Sequence, residues 1–289
     1  MSSTPHFIDS LEPMNKRRKP SKDPGIKALL DGHVRELNHL SFIESDPISI
    51  PHRFKKKQDI EIAGLFSAVF SWGNRTTIIS KASELLNRMD NAPHTFILHH
   101  GKKELKQLMG FVHRTYNDTD LLGTLEFLHQ HYSGRSVLNK KELVDMENIS
   151  LESAFSVWMD KSDLHVEKAL RGFHNYFFSS PNIADRTRKH FPTPERGSAC
   201  KRLNMFLRWM VRKDESGVDF GIWNDISPAQ LICPLDLHVG RIARKHGLLK
   251  RKYDDWEAAL ELTAELKAMD PNDPVKYDFA LFGMGVLGY

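Results

Sequence analysis

The sequence predicts an all-α protein, and three observations predict it. Apolar residues recur at intervals of three and four nearly everywhere from Pro24 onward, as in IKALLDGHVRELNHL, DIEIAGLFSAVFSW and LESAFSVWMDK. The polar and apolar alternation that builds half-buried strands is scarce. No internal repeat occurs at a fixed period, which favours a packed bundle of unlike helices.

Taken in order, the residues up to about Asp23 hold little that can be buried and carry Lys16, Arg17, Arg18, Lys19 and Lys22 among prolines. They read as a flexible basic tail over residues 1–23, whether solvated disorder, a phosphate-seeking arm or a sorting signal. The helix in IKALLDGHVRELNHL follows. The next, from Asp59, is apolar on most of its faces and belongs at the centre of the bundle; Asp59 has the type and position of an N-cap, and Gly73 that of a stop. The same spacing places helices at 77–89, 102–116, 121–131, 164–179, 200–212, 237–246, 256–269 and 274–285. Helical periodicity lapses in SSPNIADRTRKHFPTPERGSAC, a loop whose Arg186, Arg188, Lys189 and Arg196 make it positive. It lapses again in KDESGVDFGIWNDISPAQLICP, which marks a domain junction.

Composition sets outer bounds. Lys+Arg number 41 against 37 Asp+Glu, and the net +4 permits nucleic-acid binding without requiring it. Acid collects near the C-terminus in Asp254, Asp255, Glu257, Glu261, Glu265, Asp270, Asp273 and Asp278, so the rest of the surface is more basic than the total suggests. The 15 histidines add charge only on mild acidification. Cys200 and Cys233 do not make a secreted disulfide framework, and two thiols cannot supply the four ligands of an iron–sulfur cluster. No apolar run is long enough to span a bilayer, and the polar N-terminus has no signal-peptide core. The expectation is a cytoplasmic monomer, nucleoid-associated if bacterial, with no membrane partner, no cofactor and no metal.

Two segments carry candidate chemistry. In GSACKRLNMFLRWMVR, the small residues Gly197, Ser198 and Ala199 lead into an amphipathic helix whose free first amides and positive dipole end suit a DNA phosphate. Lys201 falls in the first turn, where the dipole works against an ammonium ion, as an amine nucleophile requires. By itself it is equally a surface lysine. In ICPLDLHVGRIARKHGLL, Asp236 precedes a helix and suits an N-cap; His238 and Arg241 read as an interior hydrogen bonder and a phosphate contact, or as a solvated helix face.

Jointly, these segments resemble the helix–hairpin–helix DNA glycosylase superfamily. GSACKRLN is similar to its hairpin-to-helix motif, with Gly197, Lys201 and Asn204 on the positions of the glycine, the catalytic lysine and the following asparagine. LDLHVGRIARKHGLL is similar to the stretch that holds the catalytic aspartate, with Asp236, His238 and Arg241 on the matching positions. DIEIAGLFSAVFSWGNRTTIISKASELL resembles the second helix and the turn bordering the base pocket. Ala199 stands where the second hairpin glycine belongs, and the interval from lysine to aspartate is long. Both departures look more like the archaeal 8-oxoguanine DNA glycosylases, whose C-terminal helix holds the flipped base with an aspartate and an aromatic residue one turn on. In DPVKYDFALFGMGVLGY, Asp278 and Phe282 have that spacing, although Phe282 also reads as a core aromatic. The whole chain also resembles a bacterial family of uncharacterised proteins.

The resemblance implies two helical domains with a cleft between them: a barrel domain with a modified hairpin over 58–212, and a second domain from 24–57 plus 213–289. It implies a bifunctional glycosylase and abasic-site lyase that flips an oxidised purine, 8-oxoguanine, out of double-stranded DNA. Lys201 and Asp236 would be catalytic; Asp278, Phe282 and Trp72 would form the base pocket; Gly197, Ser198, Ala199, His238 and Arg241 would hold phosphates. A non-catalytic helical DNA- or RNA-binding protein on the same scaffold is the alternative. A metal-dependent hydrolase lacks support, since no HExxH or comparable cluster occurs.

Overall fold

A nearly continuous apolar helix, α2 (Lys57–Phe70), forms the centre of the fold: every residue in it except Lys57 and Asp59 is buried. The structure is a computed structural model and describes residues 24–135 and 148–287; the basic tail lies outside the described residues. Before α2 come α1 (Pro24–Leu37) and three 3-10 turns, Leu40–Ser45, Pro47–Ser49 and Pro51–Arg53. After it follow α3 (Arg75–Arg88), α4 (Pro93–His99), α5 (Lys102–Gln107), a two-stranded hairpin of β1 (Val112–His113) and β2 (Tyr116–Asn117), and α6 (Asp118–Tyr132). Beyond the gap lie α7 (Ser153–Ser156), α8 (Glu167–Phe177), α9 (Lys201–Val211), α10 (Leu237–Lys245), α11 (Trp256–Met269) and α12 (Tyr277–Leu287). The described residues are mostly helical, which agrees with the all-α expectation.

Packing around α2 brings in α3, α4 and α9, while α6 lies on α4. Deep within α2, the buried Glu61 carboxylate accepts hydrogen bonds from Tyr132 Oη (2.8 Å), the Leu151 amide (3.0 Å), Trp223 Nε1 (2.7 Å) and Ser150 Oγ. Burial pushes this carboxyl up, and the four donors resist the push. At the other end of the chain order, α1 packs along α12 and α12 along α10, so the N-terminal segment and the C-terminal helices are neighbours. Residues 213–223 run back along α9, with the Phe220 and Trp223 amides donating to the carbonyls of Trp209 (2.8 Å) and Met210 (3.0 Å).

Several boundaries differ from the expected ones, each for a local reason. The helix expected over 102–116 stops at Gln107, because Gly110 at φ +74° and Arg114 at φ +58° turn the chain into the β1–β2 hairpin. In LESAFSVWMDK only Ser153–Ser156 is α-helical; the Trp158 indole donates to the Ala154 carbonyl at 3.0 Å and takes the acceptor that a continuing helix would use. Asp59 does not cap its own helix, which has Lys56 at the N-cap; it accepts instead from the His94 amide (2.9 Å) and so caps α4. α2 ends before Gly73, at Phe70, where Ser71 Oγ donates to the Ser67 carbonyl (2.7 Å). Gly73 has φ +109°, and a Cβ there would meet the Arg114 guanidinium at 2.6 Å. Much of the positive charge in the 179–200 loop is spent internally: Arg186 binds the buried Asp120 (2.7 Å), and Arg188 binds Asp185 (3.0 Å) and covers the Phe178 ring (4.3 Å).

Among the described residues, no helix is long and apolar enough to cross a membrane, and no cluster of three or more potential metal ligands occurs.

Candidate active site

The turn before α9, from the 3-10 turn Pro194–Arg196 to Cys200, sets the position of Lys201. Gly197 adopts φ +72° in the left-handed region, where a side chain would be strained. Its amide donates to the Pro194 carbonyl (2.8 Å) and its carbonyl accepts from the Trp256 amide (3.1 Å), so the start of α11 docks on this turn. Gly197 therefore shapes the turn, and its own amide is already used. Ser198 pairs with Asp255 in an isolated β-bridge, and Ser198 Oγ accepts from the Cys200 amide (3.1 Å). The Asn204 side chain donates back to the Ala199 carbonyl (3.0 Å). Together these contacts hold Cys200 at φ +49°, a conformation that costs a non-glycine residue about 1–2 kcal/mol. Lys201 follows immediately as the first residue of α9. Cys200 and Cys233 are both free and buried.

Asp236 caps α10 as its type and position predict: Oδ1 accepts from the amides of His238 (2.9 Å) and Val239 (3.0 Å). Its other oxygen faces Lys201, with Nζ to Oδ2 at 3.7 Å. The two side chains are 25% and 24% exposed, enough for solvent or ligand to reach both. Lys201 Nζ also lies 3.6 Å from Met205 Sδ, one turn along α9.

The pair opens into a cleft of about 760 Å³ whose lining brings together Lys201, Asp236, His238, Asp278, Phe282 and Trp72, residues taken from four separate stretches of sequence. Asp278 is buried at its base and is bound by Arg208 of α9. Burial pushes its carboxyl up, to about 6, against the pull of the Arg208 guanidinium. Arg208 also reaches the buried Asp219 (3.3 Å), which Arg212 binds in turn (3.0 Å), and Arg212 extends the network to Asp273 (2.9 Å) and Asp214. Each aromatic wall already carries an arginine: Arg75 lies over Phe282 (4.8 Å) and Arg114 over Trp72 (4.5 Å). A base stacking there takes the opposite face or displaces the guanidinium. Trp72 Nε1 is buried with no hydrogen-bond partner among the described residues.

Of the expected phosphate contacts, His238 lines the cleft and Arg241 does not. His238 is exposed and meets the edge of the Phe282 ring at 6.3 Å. Arg241 is exposed but donates to the Gly285 carbonyl (2.6 Å), which ties α10 to the end of α12.

Among the cleft residues that sequence reasoning missed are Met205, Arg208, Arg202 and Asp46. Met205 and Arg208 follow Lys201 at i+4 and i+7, a spacing that puts all three on one face of α9 and could have revealed them. Arg202 donates to the carbonyls of Val69 (2.6 Å) and Lys189 (3.2 Å), and burial lowers its guanidinium to about 10. Asp46, far upstream in DPISIP, gave only the signal of an aspartate before proline, a turn start.

An α-helical protein with one amine and three carboxylates gathered on a single cleft is the class this geometry defines. The chain belongs to the family described as Protein of unknown function (DUF2400), whose model matches residues 46–287. No curated protein and no solved structure matches it.

Proposed function

We propose that the chain is a helix–hairpin–helix DNA glycosylase and abasic-site lyase that excises an oxidised purine, 8-oxoguanine, from double-stranded DNA. The observation that carries the reading is the 3.7 Å approach of Lys201 Nζ to Asp236 Oδ2 at the side of a cleft that also holds Asp278, Phe282 and Trp72. The two segments that resemble the superfamily's catalytic motifs are distant in sequence, and the approach of these two side chains is what the resemblance requires of them. On this reading the cleft separates a barrel domain (58–212) from a domain made of 24–57 and 213–289.

A base inside a duplex is out of reach, so the target nucleotide is flipped into the cleft and held there by stacking and hydrogen bonds. As the glycosidic bond stretches, positive charge grows on the sugar, and the Asp236 carboxylate stabilises it. The Lys201 amine bonds to the anomeric carbon as the base departs with the bonding electrons and takes up a proton. The nitrogen gives up one proton, the bond from the anomeric carbon to the ring oxygen breaks with that oxygen taking up a proton, and a protonated Schiff base remains. Removal of a proton from the adjacent sugar carbon then expels the 3′ phosphate and cuts the strand. Asp278 accepts N–H bonds from the flipped base through Oδ1, to which no hydrogen bond reaches among the described residues.

Borohydride reduction in the presence of lesion-containing duplexes tests the reading. A covalent adduct with an 8-oxoguanine duplex, lost in Lys201→Gln, is the expected outcome. Tight binding without adduct or base release on any lesion assigns the chain instead to non-catalytic DNA or RNA binding.

A further inference from the structure

Asp46 is built like Asp236. Each precedes a helical turn in extended backbone, and each uses Oδ1 to cap backbone amides: Ile48 for Asp46 (3.1 Å), His238 and Val239 for Asp236. Each leaves Oδ2 toward a cation of the same cleft at longer than hydrogen-bond distance, Arg75 at 4.0 Å for Asp46 and Lys201 at 3.7 Å for Asp236. The difference is burial. The Asp46 side chain is 11% exposed, against 24% for that of Asp236, so its Oδ2 is a largely desolvated acceptor on the cleft wall, reached by no hydrogen-bond donor among the described residues. A buried carboxylate oxygen in that state calls for an N–H or O–H donor. Desolvation pushes the carboxyl up, while the Ile48 amide and the charges of Arg75, Arg208 and Lys201 pull it down. Besides Asp236, the cleft thus holds two acceptors contributed by distant parts of the chain, Asp46 from the N-terminal turns and Asp278 from α12.

We infer that Asp46 is a specificity-determining residue of this cleft, accepting a hydrogen bond from an N–H of the flipped base while Asp278 accepts from another edge. This rests on the glycosylase reading and narrows its substrate class to bases with N–H donors on two separated edges. An oxidised purine qualifies: 8-oxoguanine carries imino and amino donors on its pyrimidine ring and an N7–H on its imidazole ring. Guanine presents a lone pair at N7, which a carboxylate repels. The discrimination arises because one wrong edge leaves a buried acceptor unpaired.

Asp46→Asn and Asp46→Ser test the inference, because both replacements retain a capping oxygen for the Ile48 amide. Two rates are compared in each variant: release of 8-oxoguanine from a duplex, and borohydride-trapped adduct on a duplex with a preformed abasic site, which contains no base to read. The expected result is a loss of base release of roughly 10–100-fold, with abasic-site trapping within about threefold of the parent chain. Unchanged base release overturns the role of Asp46, as does an equal fall in both rates, which marks a merely structural part. Absence of both base release and adduct in the unaltered chain removes the glycosylase reading and this inference with it, an outcome distinct from either of the others.

Discussion

Helix α9 carries two cations on one face, Lys201 and Arg208, and each meets a carboxylate from the C-terminal segment, Asp236 and Asp278. The outer pair is loose: 3.7 Å apart and about a quarter exposed, with Met205 Sδ as the amine's other neighbour. The inner pair is in direct contact and buried, and it continues into Asp219, Arg212, Asp214 and Asp273. Two turns of one helix separate a pair able to change partners from one that is locked. Lysine suits the first place, since an ammonium can lose its proton and become a nucleophile; a guanidinium cannot, and its planar fork suits a fixed network.

Replacing each member of the two pairs shows whether this division is real. Lys201→Gln gives the largest effect on chemistry, with no borohydride-trapped adduct detectable, while stability in urea shifts by less than about 1 kcal/mol, as for a partly exposed pair. A large loss of stability in this variant breaks the contrast. Arg208→Met is next and inverts the pattern: it strands Asp278 and Asp219 in the interior and destabilises the fold by about 3–5 kcal/mol, read from the urea midpoint. Asp236→Asn keeps the cap on α10 but removes the charge facing Lys201, which the proposed mechanism sets beside the sugar; excision is expected to slow by roughly 10²-fold with thermal stability nearly unchanged.

The smallest effect is on pH dependence. Because the Asp278 carboxyl is raised from 3.8 to about 6, the folded chain holds this proton in a window where the unfolded chain has lost it. Its favourable contribution to stability is complete below 3.8 and is lost as pH rises through 6. As a hydrogen-bond acceptor for a base it runs the other way: base release falls as pH drops through about 6, while trapping at abasic sites does not follow. In Asp278→Asn this difference between the two pH profiles disappears. Persistence of the difference assigns the titration to another group.

The sequence carried the two segments that meet in the cleft, because their signals are local. Asp236 as a cap, Lys201 in a first turn, α11 over 256–269 and the central burial of α2 all follow from spacing and residue type over about one to four turns. What it did not carry depends on distant partners. Asp59 looks like a cap and is one, but for α4, 35 residues on. The charges of Arg186 and Arg188 looked available and are bound by Asp120 and Asp185. Asp46 enters the cleft because the turn it caps packs on α2 and α3 while α1 before it packs on α12, which no short-range pattern encodes. The hairpin of β1 and β2 turns on Arg114, a non-glycine residue with positive φ, and its short strands are below the length at which alternation registers.

Glu61 bears on how the molecule opens. Its carboxylate joins α2 to Tyr132 of α6, to residues 150 and 151, and to Trp223, the last partner 162 positions away along the chain. Detaching any one of these segments strips a donor from a carboxylate that has no water to replace it, so they gain little by fraying separately. The segments should open as one cooperative unit, and the Leu151 amide should exchange its hydrogen only at the rate set by global unfolding.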